Sequence, residues 1–403
     1  MSPKAGSLPD VSEDTLREVV ETLAELERPP CSVGEREAAL WLEQRFRKAG
    51  CHEVVVEEEP AWGSFPPTVT AIGVLGTIGA GLVLKGGRKS GALLSLLSLA
   101  GLLDEIENGP RILRRMIRRP KRTTNAVAYA GDASADRTLV VLGHHDAAQT
   151  GIIFDQSWAK ALHKRVPELM ESGKGLPPQW WLGVAPGLLS LGAALSGRRR
   201  PARVALVLAV LGTALIADIL RSPTVPGAND NLSGVAVLVA LAEALQTQPI
   251  DGLRVLLASC GAEESFQEGI RAFMVRHRRE LVPGRTWFLN YDTVGSPNLV
   301  LLEGEGPVWM EDYCDPSFRD LVERCARNNE IPVRRGIRAR ASTDGIIPSR
   351  AGHPTASFIS FMPWGMPGNY HLMSDVPRNL DYEAITRSVK LGHAIARELA
   401  APT

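Results

Sequence analysis

TLVVLGHHD, residues 138–146, is a short apolar and β-branched run that stops on two histidines and an aspartate. A strand buried on both faces of a parallel sheet reads as a continuous apolar run of this kind, without polar alternation. The pattern recurs along the chain. Residues 253–259 lead through Cys260-Gly261-Ala262 into Glu263-Glu264, and residues 286–291 end at Asp292. Residues 125–130 and 355–361 have the same length and character. Helix-patterned segments such as 233–245 and 318–328 alternate with these runs. The chain is therefore expected to be α/β, with a mostly parallel central sheet covered by helices on both faces. Sheets of that type place their ligands beyond the carboxyl ends of the strands. His144, Asp146, Glu263, Glu264 and Asp292 all fall there.

Outward from this centre, residues 15–49 predict two amphipathic helices broken at Pro29-Pro30, followed by a charged strand at 53–59. The 403 residues carry 45 basic and 45 acidic side chains. That balance argues against nucleic-acid binding, which needs a basic excess to neutralise phosphates. The five cysteines are scattered and have no C-x-x-C spacing, so neither a disulfide framework nor a thiolate metal site is expected. The N-terminus is polar and amphipathic and is read as lacking a signal peptide.

Imidazole and carboxylate groups without thiolate suit a borderline ion such as zinc. One such group at a strand end is ordinarily a cap or turn residue. Several in the same position relative to successive strands are hard to explain as caps. The segments GHHD (143–146), PGANDNLSGVAVLVALAEAL (226–245), CGAEES (260–265), LNYDTVG (289–295), STDGIIPSRAGHPTASF (342–358) and YHLMSDVPRNLD (370–381) together resemble the co-catalytic di-zinc aminopeptidase family. That family also contains glutaminyl cyclases and transferrin-receptor-like ectodomains. The resemblance covers about 300 residues, everything except two apolar insertions and their flanks.

What the resemblance implies is a zinc exopeptidase-like fold holding two zinc ions. His144 would bind one ion and His371 the other, with Asp230 bridging them. Glu264 would join one ion and Asp292 the other. Glu263 would be the general base, and Asp146 the carboxylate that orients His144. A cis peptide is implied between Asp230 and Asn231. The implied activity is removal of N-terminal residues from small peptides. The alternatives are an inactive receptor or scaffold on the same fold, and a one-zinc glutaminyl-cyclase-like enzyme. Three departures from the family pattern stand out. Asn231 follows the bridging aspartate where relatives often have a second aspartate, Thr343-Asp344-Gly345 replaces the usual Ser-Asp-His, and His145 and His353 replace residues that are commonly aromatic or aliphatic. Both histidines are expected to flank the site as non-ligands, and Cys260 to be a buried small side chain.

The insertions have a plan of their own. Residues 66–84 and 90–103 are uncharged and joined by a basic turn at 85–89. Residues 179–197 are uncharged, 198–203 supply a second basic turn, and 204–220 are apolar except for Asp218. Two apolar helical hairpins are expected, at 66–103 and 179–220, packed into one four-helix unit. Their lengths approach the roughly 20 apolar residues that a bilayer core needs. Trp62, Trp180 and Trp181 stand where an interfacial aromatic belt would place them. Residues 111–119 read as a basic amphipathic helix suited to an anionic lipid surface.

The expected organisation is a discontinuous peptidase domain (1–60, 123–178 and 222–403) with insertions at 61–122 and 179–221. The protein is expected to contact the lipid bilayer through the hairpins. The alternative is a buried subdomain or an interface between copies of the chain. The basic tips favour a cytoplasmic location for the turns. The basic segment after residue 103, the polar N-terminus and the unpaired thiols favour a cytoplasmic peptidase domain, which is the side preferred.

Overall fold

The computed structural model describes residues 8–168 and 180–401. The expected boundary of the second insertion at 178/179 lies outside the described residues. Two capped helices open the chain. In α1 (Glu13–Ala24) the Ser12 hydroxyl accepts from the Thr15 amide, and Leu16, Val19, Val20 and Leu23 form the buried stripe. In α2 (Val33–Lys48) the Ser32 hydroxyl accepts from the Glu35 amide at 3.0 Å. Each cap satisfies an amide that the first helical turn leaves unpaired.

After β1 (Glu53–Ala61) comes the first insertion, with α3 (Pro66–Leu84), α4 (Arg88–Ile106) and a short α5 (Ile112–Ile117). The chain returns through β2 (Lys121–Gly131) and β3 (Thr138–His144), then α6 (Ser157–Arg165). The second insertion supplies α7 (Trp181–Ser196) and α8 (Arg199–Arg221). There follow α9 (Ser233–Thr247), β4 (Arg254–Cys260), α10 (Glu268–Arg276), β5 (Thr286–Tyr291), β6 (Asn298–Glu305), β7 (Glu311–Asp312) and α11 (Pro316–Asn328). The chain ends with β8 (Arg334–Ala339), α12 (Ile346–Arg350), β9 (Thr355–Phe361) and α13 (Tyr382–Ala400).

The strands form one sheet in the order β1-β2-β4-β3-β5-β9-β6-β7, with β8 also paired to β6. Its centre, β4-β3-β5-β9, is parallel. The flanks are antiparallel where β2 meets β1 and β4 and where β6 meets β9 and β7. The sheet is thus mixed, with a parallel middle. Register then fixes the geometry of the site: His144 pairs with Cys260, and Leu142 with Asn290. The strand ends bearing His144, Glu263-Glu264 and Asp292 therefore lie side by side. Helix α9 is buried almost throughout against the sheet, which explains its nearly continuous apolar sequence.

The four insertion helices pack on one another, α3 against α4 and α8, and α7 against α8 and α4. Small residues permit the close approach. A Cβ on Gly79 would lie 2.7 Å from the Ser95 hydroxyl and 2.8 Å from its amide nitrogen. Ser95 and Ser190 hydroxyls meet at 2.7 Å across α4 and α7. Arg88, in the first basic turn, donates to the carbonyls of Ala194 and Leu195 at 2.5 and 2.6 Å, closing the end of α7. The outward faces carry Val74, Ile78, Leu93, Leu96, Val204, Val207 and Val210, all exposed.

Among the described residues, three helical stretches are long and apolar enough to cross a membrane, by length and composition: Pro66–Leu84, Arg199–Arg221 and Ala228–Thr247. The third is 94% buried and belongs to the α/β core, whereas the first two are only 33% and 17% buried. Helix α5 differs from the lipid-facing basic helix expected at 111–119. Arg111 and Arg114 point inward and are buried, while Ile112, Met116 and Ile117 are exposed. Buried carboxylates draw the two guanidinium groups in.

Candidate metal centre

His144 is the last residue of β3, and Asp146 lies just beyond it. Asp146 ties three elements together. The His144 Nδ1 lies 3.4 Å from its carboxylate and 3.3 Å from its carbonyl. Its two carboxylate oxygens accept the Glu263 and Glu264 amides, both at 3.0 Å. Asp146 thus fixes the His144 ring and also the turn that carries the two glutamates. With Nδ1 donating, Nε2 keeps its lone pair for a cation.

Asp230 sits before the start of α9, and the Asp230–Asn231 peptide is cis. Its two oxygens face different imidazoles. Oδ1 lies 3.3 Å from His144 Nε2, and Oδ2 lies 3.1 Å from His371 Nε2. His371 Nε2 is also 3.3 Å from Glu264 Oε1, and His144 Nε2 is 3.9 Å from Asp292 Oδ2. The structure thereby brings His144, Asp230 and Asp292 into one donor group and Asp230, Glu264 and His371 into another, each within 4.8 Å. Glu263, 3.9 Å from His144 Nε2, forms a third donor group with His144 and Glu264.

These residues fit a pair of divalent ions. His144 Nε2, Asp230 Oδ2 and Glu264 Oε1 are buried and have no hydrogen-bond partner. Leaving such groups unsatisfied is costly, and shared cations would satisfy all three. His145 and His353 take no part. His145 is fully buried with Nδ1 2.9 Å from the Ser259 hydroxyl, and His353 packs edge-on to Phe288. Cys260 is also fully buried, and burial pushes its thiol well above the ordinary range, so it is inert.

Burial dominates the electrostatics. It lifts the Glu263 carboxyl well above its usual range, with His144 opposing and Glu264 adding to the rise. It pushes Asp292 up to about 7. At Asp230 burial is outweighed by the contacts with His144 and His371, which hold the carboxylate low. At His371 burial favours the neutral ring, yet the charge of Glu264 and the contacts with Asp230 and Glu264 raise it to about 10. A cation can bind His371 only after that proton leaves. Zinc binding at pH 7 is therefore expected to release at least one proton per chain, and apparent affinity to rise between pH 7 and 10. Calorimetry in buffers of different ionisation enthalpy counts the protons. Binding with none released would mean that His371 is already neutral.

Several supporting residues escaped the sequence reading. Asp375 accepts the amides of Asn229 and Asp230 at 2.7 and 3.1 Å, and so holds the bridging residue from behind. Gln267 donates to Glu263 Oε1 at 2.6 Å. The His371 ring is stacked on Tyr370 at 3.9 Å and edge-packed on Phe154 at 4.4 Å. Asn231 explains its own departure from the family pattern. Its amide group accepts from Thr293 and Gly234 and donates to the Tyr291 carbonyl, which an acceptor-only aspartate could not do. In the altered Thr-Asp-Gly turn, Thr343 is tied to the buried Glu305 carboxylate, and both Asp344 oxygens are buried without a hydrogen-bond partner.

The glutamate-bearing turn bends through three non-glycine residues of left-handed backbone, Ala262, Phe266 and Gln267. Such geometry persists only when the surroundings impose it. Arg114 imposes part of it, donating to the Ser265 carbonyl at 2.9 Å and its hydroxyl at 2.7 Å. The same side chain meets Glu268 at 3.2 Å and Glu105 at 2.6 Å. Arg111 adds contacts to Glu268 and to the Phe266 carbonyl.

The sheet is parallel at its centre and carries at its strand ends two imidazole–carboxylate groups that share one aspartate. Residues 212–396 match the model of peptidase family M28. An aminopeptidase from Aneurinibacillus sp. strain AM-1 has a similar fold (TM-score 0.57, 14% identity, covering 98% of this chain and 95% of that one). So does LapB from Legionella pneumophila (TM-score 0.56, 13% identity, 98% of this chain and 73% of that one). A glutaminyl cyclase from Bacteroides thetaiotaomicron is similar as well (TM-score 0.54, 12% identity, 97% of this chain and 99% of that one). At these identities the likeness is one of fold. No curated protein matches the sequence.

Proposed function

We propose that the protein is a membrane-embedded aminopeptidase that uses two zinc ions to hydrolyse the N-terminal peptide bond of small peptides. The observation that carries this reading is the pair of donor groups sharing Asp230, with Glu263 beside both. His144 and Asp292 would hold one ion and Glu264 and His371 the other. Bound there, the ions would supply Lewis acidity, acidifying a shared water, polarising the scissile carbonyl and holding the free α-amino group.

The chain's own residues do the rest. Glu263 takes the proton from the attacking water and returns it to the leaving amine, so the base is regenerated in each turnover. Gln267 holds one carboxylate oxygen and leaves the other free to accept. Asp146 keeps the His144 tautomer fixed while charge builds at the site. Asp375 holds the backbone on either side of the bridging carboxylate.

Elemental analysis together with peptide digestion tests the reading. Two zinc ions per chain and release of free N-terminal amino acids support it. One ion, with ammonia and a pyroglutamyl product from N-terminal glutaminyl peptides, would instead mark a cyclase. Metal-loaded protein that turns over neither substrate would mark an inactive scaffold.

The membrane part rests on α3, uncharged over its 19 residues, and on the 204–220 stretch of the 23-residue α8, apolar except for Asp218, with most of their surface outward. Soluble monomers rarely leave so wide an apolar band uncovered. The full-length chain is expected to stay in the membrane pellet through alkaline carbonate and to leave it in detergent. Recovery as a monodisperse soluble protein without detergent rejects the bilayer. We place the peptidase domain on the cytoplasmic side, where protease added to sealed inverted vesicles should reach it.

A further inference from the structure

The four insertion helices do not close completely on one another. Between them lies a long, narrow, partly open apolar cleft of about 100 Å³. Along α8 it runs from Leu208 to Ile219, about 16 Å at the rise of an α-helix. Ile72, Ala209 and Ile216 line its middle, and Phe65, Trp180 and Phe154 line one end. None of the described lining residues is charged, and the Ser98 and Thr213 hydroxyls are polar exceptions in an otherwise apolar wall. Such a lining suits a hydrocarbon chain better than a charged or strongly polar one, which would lose its hydration there.

Two aromatic contacts link the walls of this cleft to the candidate metal centre. Phe154 lines the cleft and also packs on the His371 ring, 4.4 Å away. Phe266 follows Glu264 by two residues, and its ring lies 4.8 Å from Phe65 and 5.6 Å from Trp180. Asp218 fixes this junction. It is the one charged residue in the apolar run of α8, and its carboxylate accepts the Ile152 amide at 2.7 Å. The loop that carries Phe154 is thereby fastened to the second hairpin. Nearby, the Thr150 amide donates to the Pro223 carbonyl and Gln149 to Ser222. An insertion that served only as an anchor would have no need to build a wall of the site.

We infer that the cleft is a substrate subsite for a single unbranched hydrocarbon chain, so that the enzyme acts on amphiphilic amides whose polar head lies at the metal pair. The chain belongs to the substrate and is not a resident bilayer lipid. The inference rests on the proposed peptidase reading for the bond that is cleaved, but not for occupancy of the cleft.

The test uses the full-length, zinc-loaded protein in nanodiscs with alanyl, norleucyl and 2-aminodecanoyl 4-nitroanilides. Each methylene buried in the cleft should raise kcat/KM about fourfold. Ala209→Phe, which puts a ring into the middle of the cleft, should flatten that dependence, and Ala209→Leu serves if the larger side chain prevents folding. A flat series in the wild type, as a resident lipid would give, overturns the proposal, and so does a rise that both variants retain. If no anilide is cleaved, the peptidase reading fails by itself and occupancy is read by melting. Decylamine should then stabilise the wild type more than propylamine does, with the difference lost in the variant. Equal shifts for both amines, or for wild type and variant, overturn the subsite.

Discussion

Glu263→Gln is expected to bind two metal ions per chain as the wild type does and to lose about 10²–10⁴-fold in kcat, the range of a positioned general base. Glutamine preserves the shape and burial of the side chain and can still meet Gln267 by turning its amide. What it cannot do is take a proton from water. Two of the donor groups, His144, Asp230 and Asp292 on one side and Asp230, Glu264 and His371 on the other, need no atom of residue 263; the third, His144, Glu263 and Glu264, includes it and keeps an amide oxygen there in the glutamine variant. Metal content by elemental analysis and turnover measured on the same preparation separate the two roles. Activity within twofold of wild type at full metal loading would remove Glu263 from the chemistry.

Arg114→Leu should be the most destabilising single change outside the metal centre. The guanidinium is fully buried and neutralises Glu105 and Glu268, which are themselves buried. Leucine would fill some of the volume but remove the guanidinium that Glu105 meets and leave Glu268 with Arg111, and breaking a buried pair in this way costs about 3–5 kcal/mol. Arg114→Lys should fall between the two, because it keeps a charge and loses the planar fork that reaches Glu105, Ser265 and Glu268 together. Thermal unfolding of the solubilised protein provides the comparison. A leucine variant that melts with the wild type would show that both carboxylates are satisfied without the guanidinium.

The residues proposed to meet a metal were legible because their signal is local: a strand, then an imidazole or carboxylate within a few positions of its end. His144, Glu264 and Asp292 each announce themselves in this way, and the parallel middle of the sheet does the rest by bringing the strand ends level. Strands β6, β7 and β8 were not anticipated. β7 has two residues, and β8 reads Arg-Arg-Gly-Ile-Arg-Ala, charged enough to pass for a loop.

Supporting residues were harder for a different reason. Asp375 reaches Asp230 across 145 positions, a contact that no spacing rule encodes. One signal was present, an aspartate four residues after the His371 ligand. Arg111 and Arg114 were misleading, because a basic pattern between apolar residues predicts a solvated face. The carboxylates that turn them inward, Glu105 and Glu268, lie on different elements.

That inward turn settles what kind of insertion this is. Arg111 and Arg114 are encoded with the first hairpin, yet the backbone they brace is the turn that carries Glu263 and Glu264. Anchors added late to an enzyme can usually be exchanged for other anchors, leaving catalysis where it was. Here excision would take away both guanidinium groups that brace the turn carrying Glu263 and Glu264, and leave Glu268 the Ser265 hydroxyl in place of two cations. The first insertion is thus a structural part of the candidate site, and a chain trimmed of it is expected to lose the shape of that turn along with its apolar helices.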